Sequence, residues 1–293
     1  MTGYRGRFAP SPTGRLHLGS LVAALGSWLF ARAAAGQWLL RVEDLDHERE
    51  VPGAAQDMLA TLAAFGMRSD EPVIVQSERI ERYAAALRKL QAAGHAYPCW
   101  CSRADLEAHA GIHPRDCVAK PTARTPAWRL RVDAARIDFD DAICGPQRQD
   151  LARDVGDFVI WRADDVCAYQ LAVVVDDAAQ GVTDVVRGAD LLDSTPRQIL
   201  LQQLLGLPRP RHAHLPLVLD AQGGKLGKQD AACPVDASNP LPALRAALLH
   251  LGQIIPRADS VDALLREALC SFDPRRITAS SSSDHVAAHN ASR

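Results

Sequence analysis

Residues 7–20 read RFAPSPTGRLHLGS, and this stretch decides the fold. It joins a predicted strand near Tyr4 to Phe8 to a helix whose apolar positions, from Leu18 to Leu29, recur at helical spacing. A second predicted strand covers residues 38–43. The order strand, helix, strand predicts a parallel βαβ unit with the Pro- and Gly-rich turn at the end of its first strand.

Further along, the same pattern is interrupted once. Helices are predicted from Pro52 to Gly66 and from Glu78 to Ala93, the latter capped by Ser77. Residues 99–181 then combine a cysteine-rich segment, a Pro-rich loop and strand-like runs at 157–161 and 169–175, which indicates an inserted α+β subdomain. A strand at 182–187, a helix at 196–205 and a strand at 213–219 resume the first pattern, and two more helices are predicted around 241–251 and 261–272.

Composition excludes several classes of protein. The chain has 293 residues, 47% of them hydrophobic, so disorder throughout is excluded. Its 33 basic and 35 acidic residues give a net charge of −2, so a nucleic acid would have to meet a local basic patch. The candidate basic patches are residues 103–136 and the set Arg197, Arg209 and Arg211. The alternative for each patch is a solvated face that binds nothing. The uncharged run at residues 16–31 is shorter than the ~20 residues a membrane span needs, so no membrane partner is expected.

The first turn has the features of a phosphate site. Gly14 and Gly19 allow a backbone to approach phosphates closely, and the helix N-terminus that follows offers N–H groups and a positive dipole end. His17 would donate a hydrogen bond to a phosphate oxygen. Taken alone, His17-Leu-Gly is more typical of an ordinary Pro- and Gly-rich turn with a core histidine than of a phosphate site.

A second Gly-rich loop follows the last predicted strand. Residues 223–229 read GGKLGKQ, and Lys225 and Lys228 are two of only four lysines in the chain. A lysine on such a loop can reach a phosphoryl group on which negative charge develops. The alternative is a solvated surface turn.

Together these two motifs resemble the paired signatures of class I aminoacyl-tRNA synthetases. The fuller strings, RFAPSPTGRLHLG with VEDLD at 42–46 and VVRGADLLDSTPRQ at 185–198, resemble the glutamyl branch of that family. About 51 residues between Lys228 and the Ser-rich end are too few for the anticodon-binding part of a glutamyl-tRNA synthetase. The chain therefore resembles the truncated glutamyl-queuosine tRNA(Asp) synthetases. The second signature of that family commonly reads KLSKQ. In this sequence residues 225–229 read KLGKQ, so Gly227 replaces the serine and its hydroxyl is lost from the loop.

The resemblance implies a fold: α/β, with a Rossmann-type class I synthetase catalytic domain, an inserted zinc-binding α+β subdomain and a short C-terminal helical segment. The expected boundaries are 1–97 and 182–222 for the catalytic domain, 98–181 for the insert, 223–279 for the signature loop and helices, and 280–293 for a disordered tail.

The implied activity is that of a ligase. Glutamate would be activated with Mg²⁺ and ATP to glutamyl-adenylate without tRNA, then transferred to the queuosine base in the anticodon of tRNA(Asp). The expected protein is a cytoplasmic monomer. Two alternatives stay open: a discrete glutamyl-tRNA synthetase acting on acceptor ends, and a catalytically silent regulator that binds ATP or glutamate, suggested by Gly227.

Site residues follow from the family's motifs. A glutamate has two carboxylates and one ammonium, so its site should offer two guanidinium groups and one acid. The implied glutamate-binding residues are Arg7, Phe8, Ala9, Pro10, Ser11, Glu43, Tyr169 and Arg187. The implied ATP-binding residues are Gly14, His17, Gly19 and Lys228, and the implied catalytic residues are His17, Lys225 and Lys228.

A cysteine cluster suggests a metal site. Cys99, Cys101 and Cys117 fall within 19 positions, with His113 between them. Three thiolates and an imidazole make a plausible tetrahedral Zn²⁺ site, with free thiols as the alternative. The family holds zinc at matching positions, which favours one structural Zn²⁺ per chain, and His109 is the rival fourth ligand.

Overall fold

A computed structural model describes residues 3–219 and 233–279. The βαβ unit predicted from the opening motif is formed by β1 (Arg5–Phe8), α1 (Leu18–Ala33) and β2 (Gln37–Val42). The two strands are parallel, and Arg7 lies opposite Leu39. Helix α1 buries an apolar face on the strands, and the indole N–H of Trp38 donates to the hydroxyl of Ser27 at 2.9 Å.

The other elements follow in chain order. They are α2 (Ala54–Ala64), β3 (Ile74–Val75), α3 (Ile80–Ala92), β4 (Ala96–Cys99), β5 (Ala127–Leu130), β6 (Arg136–Asp141), β7 (Gly145–Asp150), α4 (Leu151–Asp154), β8 (Phe158–Trp161), α5 (Tyr169–Ala179), β9 (Asp184–Gly188), α6 (Thr195–Leu205), β10 (Arg211–Leu215), α7 (Pro240–His250) and α8 (Val261–Cys270).

The parallel strands form a doubly wound arrangement. Strand β2 lies between β1 and β3, while β10 lies between β9 and β6, with β7 antiparallel to β6 at the far edge. The amide of Thr183 donates to the carbonyl of Arg5 at 2.9 Å, which brings β9 alongside β1. Strands thus lie on both sides of β1, with β2 on one side and β9 on the other. Folds of this kind bind ligands in the crevice beyond the carboxyl ends of such strands, here β1 and β9.

Residues 98–181 contribute to two sheets. Strands β4, β5 and β8 form a separate antiparallel sheet, whereas β6 runs parallel to β10 with Asp141 opposite His212. One apolar core lies around α1, α2, α7 and α8, and a second lies around α3, α5, α6 and the antiparallel sheet. The domain boundaries expected from the sequence stay a prediction.

Two local predictions are wrong. The run from Tyr169 to Val175 is the start of helix α5 and not a strand, because a short valine-rich run has the same composition in a buried helix as in a buried strand. Ser77 does not cap α3: its hydroxyl donates to Asp44 at 2.6 Å, and a 3₁₀ turn at Gln76–Arg79 precedes the helix. None of the described helices combines the length and hydropathy needed to cross a membrane.

Candidate active site

Two adjoining cavities open at the crevice between β1 and β9. The arginine cavity, of about 300 Å³, is lined by Arg7, Glu43, Tyr169 and Arg187 among others. The histidine cavity, of about 310 Å³, is lined by Pro10, Thr13, His17, Gly19, Ser20, Leu217 and Val218 among others. Phe8, Ser11, Ala23 and Gly188 line both, so two ligands bound in them would meet.

A buried ion network holds Arg7 in place. The Asp177 carboxylate, on α5, accepts from Arg7 Nε at 3.0 Å and from Arg41 Nη1 at 2.8 Å. Arg41 also donates through Nη2 to Glu43 at 3.0 Å and through Nη1 to the side chain of Gln180 at 2.8 Å. Arg41 is 0% exposed and Arg7 is 3% exposed. The network fixes both the arginine and the glutamate that face the cavity.

Burial and charge act in opposite directions on the two acids. Burial by itself raises the pKa of Asp177, but the charges of Arg7 and Arg41 outweigh it and lower that pKa to about 2. Burial raises the pKa of Glu43, and Arg41 only partly offsets this. Asp177 is therefore the firmly ionised member of the pair.

Arg187, at the end of β9, has neutral partners. Its Nε donates to His214 Nε2 at 3.1 Å. Its Nη2 donates to the hydroxyl of Thr195 at 2.9 Å and to the carbonyl of Leu191 at 3.2 Å. Its Nη1 lies 3.4 Å from the Tyr169 hydroxyl. The residue is 5% exposed, and burial lowers its pKa. No carboxylate in residues 3–219 or 233–279 lies within 4.0 Å of its nitrogens.

His214 is oriented from behind by an acid. Its Nδ1 lies 2.6 Å from Asp141 Oδ2, and both residues are almost fully buried. Since Nε2 accepts from Arg187, the proton of the neutral ring belongs on Nδ1 and is donated to Asp141. Burial lowers the pKa of His214 although Asp141 opposes the shift, so the ring that contacts Arg187 is uncharged.

His17 caps α1. Its Nδ1 accepts from the amides of Gly19 at 3.1 Å and Ser20 at 3.4 Å, so these two amides do not supply the free N–H groups expected for an anion. Because amides only donate, the proton of the neutral ring is on Nε2, which lies 3.1 Å from the Ser20 hydroxyl. A Cβ at Gly19 would lie 3.0 Å from the His17 ring, which explains the glycine.

Most of the predicted site residues come together. All eight candidates for glutamate binding line the two cavities, seven of them the arginine cavity and Pro10 the histidine cavity. His17 and Gly19 line the histidine cavity, whereas Gly14, with φ of 138°, is not in its lining. Lys225, Lys228 and Gly227 lie outside the described residues. On either side of that segment, Val218 lines the histidine cavity and Pro234 forms a β-bridge with His17.

Four residues of the site were missed from the sequence: Arg41, Asp177, Asp141 and His214. The available signal was a charge inside an apolar run. Arg41 interrupts the strand residues Trp38–Val42, and Asp177 follows a run of valines. A charged group in such a run must be paired once it is buried.

The cysteine cluster forms a candidate metal centre. The ligand atoms of Cys99, Cys101, His113 and Cys117 all lie within 4.8 Å of one another. His113 Nε2 is 3.2 Å from Cys99 Sγ, and its Nδ1 is 2.6 Å from the carbonyl of Pro114. With Nδ1 protonated toward Pro114, Nε2 is left as a ligand atom, as metal-bound histidines require.

Donors around the sulfurs also suit thiolates. Arg129 Nε lies 3.2 Å from Cys99 Sγ, and the amide of Ala119 lies 3.4 Å from Cys101 Sγ. His109 is exposed on a 3₁₀ turn and is not part of the cluster of described ligand atoms. The residues present therefore fit a divalent metal bound by three thiolates and one imidazole.

Comparison with known proteins decides the family. The family model for the catalytic domain of class I tRNA synthetases (E and Q) matches residues 4–125 and 112–249. The chain belongs to the class I tRNA synthetases of the E and Q group. A protein of Xanthomonas axonopodis pv. citri named Glutamyl-Q tRNA(Asp) synthetase is 58% identical over 276 residues, which are 93% of this chain and 92% of that protein. One of the same name from Burkholderia mallei is 56% identical over 290 residues, 94% of this chain and 98% of that protein.

Solved synthetases share the architecture. A glutamate tRNA ligase from Elizabethkingia meningosepticum, solved in complex with its amino acid, matches with a TM-score of 0.78 at 25% identity, over 97% of this chain and 68% of that one. A glutamate-tRNA synthetase from Elizabethkingia anophelis gives the same TM-score at 26% identity. The predicted family and enzyme class, a ligase of the aminoacyl-tRNA synthetase type, are confirmed.

The ion network of this synthetase should govern its stability. Asp177→Asn leaves two buried guanidinium groups without their shared carboxylate, so we expect the free energy of unfolding at pH 7 to fall by about 3–5 kcal/mol. The folded pKa of Asp177, about 2, lies below its unfolded value. Its stabilisation is therefore complete above about pH 4 and is lost as the pH falls toward 2.

Urea unfolding between pH 7 and pH 3 measures both effects. The exposed Asp259→Asn serves as the matched control and should change stability by less than about 0.5 kcal/mol. The free energy of unfolding of the Asp177→Asn variant should also fall less between pH 7 and pH 3 than that of the unaltered protein. Equal stability of Asp177→Asn and the unaltered protein at pH 7 would contradict the assignment.

Proposed function

We propose that this chain activates glutamate with ATP to glutamyl-adenylate in the absence of tRNA and transfers the glutamyl group to the queuosine base in the anticodon of tRNA(Asp). The name of its relatives supports the reaction and the RNA. The observation that carries the amino-acid specificity is Arg187, a buried guanidinium at a cavity wall whose contacts with described residues are all neutral. Such a group favours an anionic ligand.

The charges of the arginine cavity match glutamate. Arg7 and Arg187 would bind its two carboxylates, and Glu43 would bind its ammonium. Arg7 shares Asp177 with Arg41, so within residues 3–219 and 233–279 the three guanidinium groups contact two carboxylates, those of Asp177 and Glu43. The site thus carries one excess positive charge, and a glutamate zwitterion carries one excess negative charge.

ATP would occupy the histidine cavity. An oxygen of the glutamate α-carboxylate attacks the α-phosphorus, and the bond from that phosphorus to pyrophosphate breaks. His17 would donate from Nε2 to a phosphate oxygen, and Lys225 and Lys228 would stabilise the charge that develops. Gly14 and Gly19 would keep the turn free of side chains. Mg²⁺ bound with ATP would neutralise phosphate charge.

The metal cluster would hold one structural Zn²⁺ on Cys99, Cys101, His113 and Cys117. Zinc is favoured over other divalent metals because three of the four ligands are soft thiolates. Four protein ligands would also fill a tetrahedral coordination sphere and leave no open position for a substrate. The ion would link β4 to the loop that ends at Cys117, a segment whose residues are mostly exposed. Its contribution is therefore to folding of this segment and not to the reaction.

The activation step is tested by exchange of labelled pyrophosphate into ATP. With glutamate, Mg²⁺ and no tRNA, the unaltered protein should catalyse exchange. Arg187→Gln should raise the KM for glutamate about 10- to 150-fold, because a charged hydrogen bond is lost. The KM for ATP should stay within about twofold of the unaltered value. The exposed Arg266→Gln is the control. Exchange that is absent, or strictly dependent on tRNA, would refute tRNA-independent activation.

The transfer step is tested by locating the label. After incubation with labelled glutamate and tRNA(Asp) that carries queuosine, nuclease digestion should release the label with the anticodon fragment. Recovery of the label on the 3′-terminal adenosine would instead support a discrete glutamyl-tRNA synthetase.

The metal proposal is tested by Cys117→Ser. We expect the purified variant to lose its zinc, about one equivalent per chain in the unaltered protein, and to be cleaved faster by protease between residues 99 and 126. Cys270→Ser, an exposed cysteine remote from the cluster in sequence, is the control and should keep its zinc. Full zinc occupancy in Cys117→Ser would exclude this ligand set.

A further inference from the structure

A third cavity, of about 760 Å³, lies between the segment that carries the metal cluster and the start of α6. Its lining includes Arg103, Glu107, Gln149, Asp193 and Arg197. Neither glutamate nor ATP is assigned to it. Its volume is within the range of small-molecule sites and is large enough for a nucleotide.

The third cavity adjoins the arginine cavity across one turn. In the 3₁₀ turn Ala189–Ser194, Leu191 lines the arginine cavity and Asp193 lines the third cavity. The hydroxyl of Ser194 accepts from Gln170, the neighbour of Tyr169, at 3.0 Å, and Arg197 Nη2 lies 3.4 Å from it. A group held in the third cavity is therefore separated by this one turn from the residues that would hold glutamate.

Two buried polar atoms at this cavity lack partners. Arg197 Nε and Gln149 Oε1 are both buried, and neither makes a hydrogen bond to any described residue. Nor does any described carboxylate lie within 4.0 Å of a nitrogen of Arg197 or Arg103. An unpaired buried donor and an unpaired buried acceptor call for an explanation, and a ligand in the adjoining cavity is one.

The two basic clusters of the sequence meet here. Arg103 comes from residues 103–136, and Arg197 comes from the second set. Two other members are engaged elsewhere: Arg129 donates to the carbonyl of Asp157 at 2.7 Å, and Arg211 pairs with Asp184 at 2.7 Å. Of the basic residues in both clusters, Arg103 and Arg197 converge on one concave surface.

The lining is of mixed charge, since it holds Glu107, Asp154 and Asp193 as well as the two arginines. A site for a simple anion would not include three carboxylates. A nucleotide offers phosphate and carbonyl acceptors to guanidinium groups, and hydroxyl and amine donors to carboxylates and to an amide oxygen.

We propose that the third cavity binds the nucleotide that receives glutamate, with Arg103, Arg197 and Gln149 as its recognition residues. This rests on the proposed function. In the transfer step the hydroxyl oxygen of that nucleotide bonds to the glutamyl carbonyl carbon. The bond from that carbon to the AMP oxygen breaks, AMP leaves with the electron pair, and the hydroxyl proton passes to solvent. The cavity supplies position, not a reacting group.

Three variants test this: Arg103→Ala, Arg197→Gln and Gln149→Met. Each should lower kcat/KM for tRNA(Asp) bearing queuosine about tenfold or more, and each should leave glutamate-dependent pyrophosphate exchange without tRNA within about twofold. Arg209→Gln, from the same cluster as Arg197 but outside this cavity, should change neither. Gln149→Met should also keep or raise the melting temperature, since it removes an unpaired buried oxygen.

The outcomes separate the proposals. Unchanged transfer in Arg103→Ala and Gln149→Met would overturn the nucleotide site and leave the activation reaction intact. Exchange and transfer that fall in parallel would also overturn it, because the residues would then act on activation. Absence of exchange in the unaltered protein would refute the proposed function and this inference together.

Discussion

Three guanidinium groups buried at one crevice set the main constraint on this protein. Arg7, Arg41 and Arg187 are nearly inaccessible to water, and taking such charges out of water costs several kcal/mol each unless partners are supplied. The fold supplies them from separate elements: Asp177 from α5 and Glu43 from the end of β2. Among the described residues the direct contacts supply one carboxylate fewer than there are guanidinium groups. Under the function proposed above, that shortage suits the crevice to an acidic amino acid.

The rest of the architecture keeps this arrangement rigid. Strands β1 and β9, from two separate sheets, lie side by side, so that Arg7 and Arg187 line the same crevice. His214, held by Asp141, contacts Arg187 with a neutral nitrogen and orients it without cancelling its charge. The histidine cavity adjoins the arginine cavity, so the proposed ATP site lies within contact of the proposed glutamate site. A class I synthetase needs this adjacency because its two small substrates must react with each other.

Features with a local signature could be predicted from the sequence, and features that depend on distant contacts could not. The βαβ unit follows from periodicity, and the metal cluster follows from spacing within 19 positions. The partnership of Arg41 with Asp177 spans 136 positions and has no local pattern. Helix α5 was mistaken for a strand because burial on nearly all sides removes the amphipathic signal. The third cavity was not predicted, since its two arginines lie in separate clusters.

The excess positive charge is tested most directly by calorimetric titration of the protein with L-glutamate and with L-glutamine, which differ in net charge and hardly in shape. Glutamate should bind about a hundredfold more tightly than glutamine, the effect of one charged hydrogen-bonded contact at Arg187. This preference should disappear in Arg187→Gln. Equal affinity of the unaltered protein for the two amino acids would contradict an excess positive charge at the crevice.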